Sequence, residues 1–249
     1  MLTGKKVIVT GAARGLGRAF AEAAADAGAH VIVADILNTE GRATADAIAD
    51  RGQKASFVSL DLLDPDAVQR CADESIEILG GLDGLVNNGA IATGIGGVAM
   101  EDIDIEVWDR VMSVNVRGTM LMTRACSAAL RATGKGRVVN VASDTALWGA
   151  PALMHYVASK GAVISMTRAM ARELGTDNVA VNAVAPGLTL VEATEYVPQE
   201  RHDLYLAGRA IQRDQVPDDI TGIVNFLLGD SAGFITGQVI PVNGGFVMN

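Results

Sequence analysis

Short, nearly unbroken runs of Val, Ile, Leu and Ala alternate with longer stretches of helical period from the first residue to about Leu228. The runs predict buried strands over residues 5–10, 30–34, 55–60, 81–87, 136–142, 178–184 and 238–241. The periodic stretches predict helices over 15–27, 39–51, 65–79, 104–131, 156–174 and 217–228. Asp64-Pro65 and Val216-Pro217-Asp218-Asp219 carry helix-start chemistry, a proline in the first turn with acids beside it. Strands that read as continuous apolar runs are covered on both faces, and strands joined by helices pair in parallel. Right-handed crossovers then give an α/β fold, a doubly wound parallel sheet with helices on both faces. No repeat, low-complexity tract or linker divides the chain, so residues 1–249 are expected to form a single domain. One stretch breaks the rhythm. Residues 187–215 are polar and weakly periodic and follow a strand end, where a long excursion is expected to be a substrate lid.

Thr10-Gly11-Ala12-Ala13-Arg14-Gly15-Leu16-Gly17 lies between the first strand and the first helix. Glycines there allow a tight turn and close backbone approach, so that amides at a helix N-terminus meet a pyrophosphate. Glycine spacing alone is as compatible with a packing-driven turn. Asp35 closes the second strand 18 residues beyond Gly17, near the spacing of an acid that accepts from ribose hydroxyls. A carboxylate there repels a 2′-phosphate, while the Arg14 guanidinium beside the loop would attract one. Asp35 is better placed and Ile36 supplies no cation, so NAD is expected and NADP is the less favoured cofactor.

Ser143 follows another strand, and Tyr156 and Lys160 stand at i and i+4 in the next helix, on one face. A hydroxyl, a phenol and an ammonium can therefore converge at the carboxyl edge of the sheet, where open α/β folds bind ligands. A free phenol has a pKa of ~10. An ammonium at ~4 Å and an effective dielectric of ~20 attracts a phenolate by about 4 kcal/mol, enough to lower that value by up to about three units before desolvation subtracts. Tyr156 is thus the candidate general base for alcohol oxidation and general acid in reverse. Taken singly, each residue is more often an ordinary surface or turn residue; only their joint appearance behind a nucleotide loop overturns that. His155 points about 100° away from Tyr156 on a helix and reads as pocket wall or surface.

The net charge of −9 argues against nucleic acid and against an anionic membrane surface. Cys71 and Cys126 form neither a disulfide framework nor a metal site, which fits a reducing, cytoplasmic setting. Val7-Ile8-Val9 is too short for a signal-peptide core, and no apolar run approaches the ~20 residues of a membrane helix. His30, His155 and His202 lack acids at ligand spacing, so no metal is expected.

The glycine loop with Asn87-Asn88, Asn115, Ser143, Tyr156 and Lys160, Pro186-Gly187, residues 233–238 and Val242-Asn243-Gly244-Gly245 resembles the short-chain dehydrogenase/reductase family over essentially the whole chain. The resemblance implies a Rossmann-like sheet with NAD(P) along its carboxyl edge. It implies that Asp61-Leu62 contact adenine, that Asn87 and Gly89 lie near the adenosine ribose, and that Pro186, Gly187 and Thr189 border the nicotinamide. Lys160 would also hold the nicotinamide ribose, Ser143 the substrate oxygen, and Asn115 a water for proton relay. Two departures stand out. The family usually reads Asn-Asn-Ala-Gly where this chain has Asn87-Asn88-Gly89-Ala90, and a threonine where this chain has Val191. Trp148, Leu153 and Leu188 are the expected apolar substrate contacts, for a secondary alcohol or ketone with an apolar or ring-bearing flank. Reduction of a 3-oxoacyl thioester uses the same constellation and is the alternative; a non-catalytic NAD-binding scaffold is a distant one. The resemblance implies a homo-oligomer, a dimer or tetramer, with apolar Ile240-Pro241-Val242 and Phe246-Val247-Met248 against a neighbour.

Overall fold

The computed structural model describes residues 1–248. The strands are β1 Lys6–Thr10, β2 His30–Asp35, β3 Lys54–Ser59, β4 Gly84–Asn87, β5 Arg137–Val141, β6 Ala180–Pro186 and β7 Val239–Val242. They form one parallel sheet in the order β3-β2-β1-β4-β5-β6-β7. The helices are α1 Gly15–Asp26, α2 Asn38–Asp50, α3 Pro65–Leu79, α4 Ile105–Met112, α5 Thr119–Ala132, α6 Thr145–Trp148, α7 Met154–Leu174, α8 Gln199–Gly208 and α9 Asp218–Leu228.

The two-residue alternation along each strand divides the core between two faces. Val7 and Val9 meet Phe20, Ala21 and Ala24 of α1, Ile48 of α2 and Val224 and Leu227 of α9 on one side. Ile8, between them, turns to the other side, with Leu85 and Val138 and with Val68 of α3, Met122 and Cys126 of α5 and Leu174 of α7. Both cysteines are buried and free, and burial pushes the Cys71 thiol up to about 12 and Cys126 higher still. Buried amides stitch the centre: Asn87 Nδ2 donates to Thr123 Oγ1 and Asn140 Oδ1, both at 2.9 Å, and Asn140 Nδ2 to Thr167 Oγ1 at 2.9 Å.

The chain winds outward from β1 through β2 and β3, then crosses back to β4. That reversal opens a crevice at the carboxyl ends of β1 and β4, the usual ligand position in such sheets. Several boundaries differ from expectation. β4 starts at Gly84 rather than 81, because Gly80 and Gly81, at φ +64° and +131°, are still closing the end of α3. β6 runs on to Pro186. The expected single helix over 104–131 is α4 and α5 joined by a π-helical turn, Ser113–Gly118, with Asn115 inside it. Residues 187–215 hold the unforeseen α8, and the backbone bridge Thr189–Gln215 closes the base of the excursion. Among the described residues no helix is long and apolar enough to cross a membrane, and no group of three or more His, Cys, Asp or Glu could hold a metal.

Candidate active site

The glycine loop is built by close approach. A Cβ at Gly17 would lie 2.0 Å from the Gly11 carbonyl oxygen and 2.5 Å from Asn88 Nδ2, so only glycine lets α1 pack down on the loop. Asn88 Nδ2 donates to the carbonyls of Thr10 and Gly11 at 3.1 and 3.0 Å. Thr10 Oγ1 accepts from the backbone N–H of Asn88 and of Gly89, both at 3.0 Å. Arg14 precedes α1 in an extended conformation, exposed, without a side-chain cap, and the first turn carries no acid. The first-turn N–H groups of Gly15 and Leu16 therefore keep their donors for an anion, which fits a pyrophosphate.

The Gly89-Ala90 order resolves simply. Gly89 backs onto Gly11 and onto Leu62, whose Cδ1 would be 2.8 Å from a Cβ at 89, whereas Ala90 is exposed. In this chain the tightly enclosed position of the pair is 89. Leu62 lies under both Gly89 and Gly118, and Asp61 Oδ1 accepts from the Leu63 N–H at 2.8 Å. Asp35 is buried at the end of β2. Its Oδ2 accepts from the Ala13 N–H at 2.9 Å and its Oδ1 from the Leu37 N–H at 3.0 Å, so the carboxylate also fastens the glycine loop. Each oxygen retains a lone pair for a ribose hydroxyl. Ile36 beside it is exposed, and among the described residues no cation pairs with Asp35. The Asn87 amide nitrogen is spent inside the sheet, and its Oδ1 has no hydrogen-bond partner.

At the other side of the crevice, β5 delivers Ser143 to a buried position, where Thr145 Oγ1 donates to its Oγ at 2.9 Å. Tyr156 and Lys160 come from the first and second turns of α7. The Tyr156 phenol faces Ser143, whose hydroxyl favours the phenolate, but burial and the nearby Asp144 charge outweigh this and hold the phenol up to about 12. Lys160 Nζ donates to the Val141 carbonyl at 2.7 Å and stands 5.6 Å from the Tyr156 ring centroid. Burial draws the ammonium down to about 8. Burial thus raises the phenol, where Lys160 was expected to lower it. Both ends of the Asn115 side chain are bonded: Oδ1 accepts from the Ile91 N–H at 2.7 Å, and Nδ2 donates to the Ile91 carbonyl at 3.0 Å and Ser159 Oγ at 3.1 Å. Ser159 Oγ in turn donates to the Tyr156 carbonyl at 2.7 Å. The π turn that no spacing argument foresaw thus ties Asn115 to α7, a placement such turns often have at functional sites. His155 is buried, with Nδ1 unpartnered, rather than a surface group.

Beyond β6, the Gly187 N–H donates to the Val242 carbonyl at 3.0 Å, and the Asp144 N–H to the Pro186 carbonyl at 3.0 Å. Thr189 is buried and turns its hydroxyl onto the Gly187 carbonyl at 3.1 Å. Val191 brings no hydroxyl, and the nearby Thr194 Oγ1 accepts from the Val191 N–H at 3.1 Å and donates to the Thr189 carbonyl at 2.7 Å. Trp148 is edge-on to Tyr205 and Phe246, with ring centroids 6.3 and 5.5 Å away, and Tyr205 stacks on Phe246 at 4.3 Å. Phe246 is therefore packed in part within its own chain, and Met248 beyond it is exposed. Leu153 and Leu188 are both half-buried. Asp144, Thr145 and Tyr205 escaped the sequence reading: an acid beside a catalytic-type serine was the available signal for the first, whereas nothing local marks Tyr205.

Residues 11–247 match the family profile described as Enoyl-(Acyl carrier protein) reductase. The chain is 33% identical over 247 residues to a 3-oxoacyl-[acyl-carrier-protein] reductase of Thermotoga maritima, covering 99% of each chain. It is 40% identical over 249 residues to an uncharacterized oxidoreductase of Mycobacterium tuberculosis, covering 100% of this chain and 99% of that one. Its fold superposes with a TM-score of 0.92 on the crystal structure of a candidate NAD(P)-dependent gluconate 5-dehydrogenase of Beutenbergia cavernae with NADP bound at low occupancy, at 36% identity and 98% and 97% coverage. With the glycine loop, the serine, and the tyrosine–lysine turn assembled on one sheet edge, the chain belongs to the short-chain dehydrogenase/reductase family of NAD(P)-dependent oxidoreductases.

Proposed function

We propose that the protein interconverts a secondary alcohol and a ketone with NAD(P), preferring NAD, and that Tyr156 carries the proton. The observation behind this reading is the meeting of Ser143, Tyr156 and Lys160 at the carboxyl edge of β5, next to an open helix N-terminus. NAD(P), when bound, gives or takes the hydride. Ser143 orients the substrate oxygen; because Thr145 donates to its Oγ, the Ser143 proton stays available for that oxygen. Tyr156 accepts the hydroxyl proton in oxidation and returns it in reduction. Hydrogen bonds from Lys160 Nζ to ribose hydroxyls would keep the lysine charged, and a charged lysine beside the phenol then favours the phenolate. Asn115, locked to Ile91 and Ser159, holds the helix turn that carries Tyr156 and supports a water relay to Lys160.

For the dinucleotide, Gly11, Arg14, Gly15, Leu16 and Gly17 would face the pyrophosphate and Asp35 the adenosine ribose. Asp61, Leu62, Asn87 and Gly89 would lie along the adenosine, and Pro186, Gly187 and Thr189 along the nicotinamide. The cation-free Asp35 supports NAD; Arg14 is the counterweight, and the Beutenbergia neighbour holds NADP. The ratio of kcat/KM with the two cofactors decides it: NAD is expected to lead, and a preference for NADP overturns the assignment.

The substrate pocket lies between Ser143 and residues 187–215, read as a lid, with Trp148, Leu153 and Leu188 as its apolar walls. Cyclohexanol and 1-phenylethanol are expected to turn over ahead of gluconate and short polyols; exclusive use of the polar substrates contradicts this. The Thermotoga relative favours a second reading, reduction of a 3-oxoacyl thioester, which NADPH oxidation by an acetoacetyl thioester would reveal. We place the protein in the cytoplasm as a dimer or tetramer, supported by its two free buried thiols and by the fully exposed Phe234. A monomer in sedimentation contradicts the assembly.

A further inference from the structure

Helix α8 has one buried side chain, Tyr205, and that side chain reaches the loop of the catalytic-type serine. Its phenol donates to Asp144 Oδ1 at 2.7 Å, and the Trp148 indole N–H donates to the Tyr205 oxygen at 3.3 Å. Asp144 stands between Ser143 and Thr145 with no exposed surface. Its carboxylate does not cap α6, so its burial is not explained by helix chemistry. Oδ2 makes no hydrogen bond and lies 3.1 Å from where a Cβ on Gly187 would sit. The carboxylate thus belongs neither to a capped helix start nor to the proton path proposed above; its 2.7 Å bond runs to α8.

The groups around Asp144 come from every side. Tyr205 on α8, Asn243 beyond β7, Arg209 at the end of α8 and the Thr145 N–H all favour its charged form, and Arg201 acts on Tyr205 from the same helix. Arg209 also lies 5.3 Å from the Tyr205 ring centroid and donates to the Leu188 carbonyl at 2.6 Å. From α7, Tyr156 feels the Asp144 charge, which disfavours a second negative charge on the phenol.

We propose that Asp144 is a positioning residue: through the bond from Tyr205 it holds α8 against the loop carrying Ser143. The effect on substrate binding rests on the pocket of the proposed function; the tether itself does not. Loss of the tether would loosen α8, which keeps the bond from Arg201 to the Pro151 carbonyl at 3.2 Å and the stack of Tyr205 on Phe246, and would widen the pocket mouth.

Hydrogen exchange of α8 in the ligand-free protein tests the tether without any assay of activity. Tyr205→Phe keeps the ring stack but removes the bond, Asp144→Ala removes the acceptor, and Asp144→Asn keeps an acceptor oxygen without the charge. Exchange across α8 is expected to speed up about tenfold in the first two and to stay within about twofold of the parent in Asp144→Asn. Equal protection in Tyr205→Phe and the parent overturns the tether, whether or not Asp144→Ala folds. With 1-phenylethanol, Tyr205→Phe is expected to raise KM about tenfold while kcat stays within about threefold. Should the parent oxidise none of cyclohexanol, 1-phenylethanol or 2,3-butanediol with either cofactor, the proposed function falls, while the exchange result still decides the tether.

Discussion

Lys160 holds its ammonium 5.6 Å from the centre of the Tyr156 ring while donating to the Val141 carbonyl at 2.7 Å. Burial governs both groups, with the lysine drawn down to about 8 and the phenol pushed up to about 12. An ultraviolet difference titration of the parent against Tyr156→Phe is therefore expected to show a tyrosine ionising well above the ordinary ~10. Adding NAD is expected to move it downward, as Lys160 gains hydrogen-bond acceptors and stays charged. An ordinary value without cofactor would show that burial does not control this phenol.

Asp35 both fastens the glycine loop and faces the expected ribose. Asp35→Ala should therefore do two things at once. It should lower the NAD to NADP ratio of kcat/KM by about tenfold or more, and cost about 1–3 kcal/mol of stability through the unpartnered Ala13 and Leu37 N–H groups. Chemical denaturation and paired kinetics check both. A changed ratio with unchanged stability would contradict the structural half.

A methyl on residue 17 would lie 2.0 Å from the Gly11 carbonyl oxygen, a backbone atom that cannot rotate away. Gly17→Ala is expected to cost about 1–3 kcal/mol and to weaken NADH binding. Thermal melting and NADH fluorescence read the two effects. Unchanged melting would mean the loop and α1 are not packed as described.

Asp144 is protonated more readily in the fold, at about 6, than an unfolded carboxylate would be. The cost of burying its charge is therefore absent below pH ~4 and fully present above the folded value, up to about 3 kcal/mol. Asp144→Asn has no such charge, so its melting temperature relative to the parent is expected to rise between acid and neutral pH. A difference that stays constant across that range contradicts the burial cost.

How far the residues announced this architecture varies from element to element. α3 is found at its expected bounds because its ends carry chemistry: Asp64 accepts from the Asp66 N–H at 2.9 Å, Pro65 opens the first turn, and Gly80 closes it at φ +64°. The strands are legible because a sheet buried on both faces needs continuous apolar runs. The π turn at Asn115 is not, since one extra residue in a helix leaves the apolar spacing nearly intact. α8 is not legible because a helix with a single buried residue has no apolar stripe to read. Ser143, Tyr156 and Lys160 were readable from order and spacing. The Asp144–Tyr205 bond spans 61 positions and leaves no local trace.

The account stands most directly on Tyr156. The measurement is kcat/KM of Tyr156→Phe for NAD-linked oxidation of 1-phenylethanol, with the fold checked by circular dichroism. A fall of about a hundredfold or more is expected, the scale of a lost proton-transfer group. Activity within tenfold of the parent in an intact fold would contradict it.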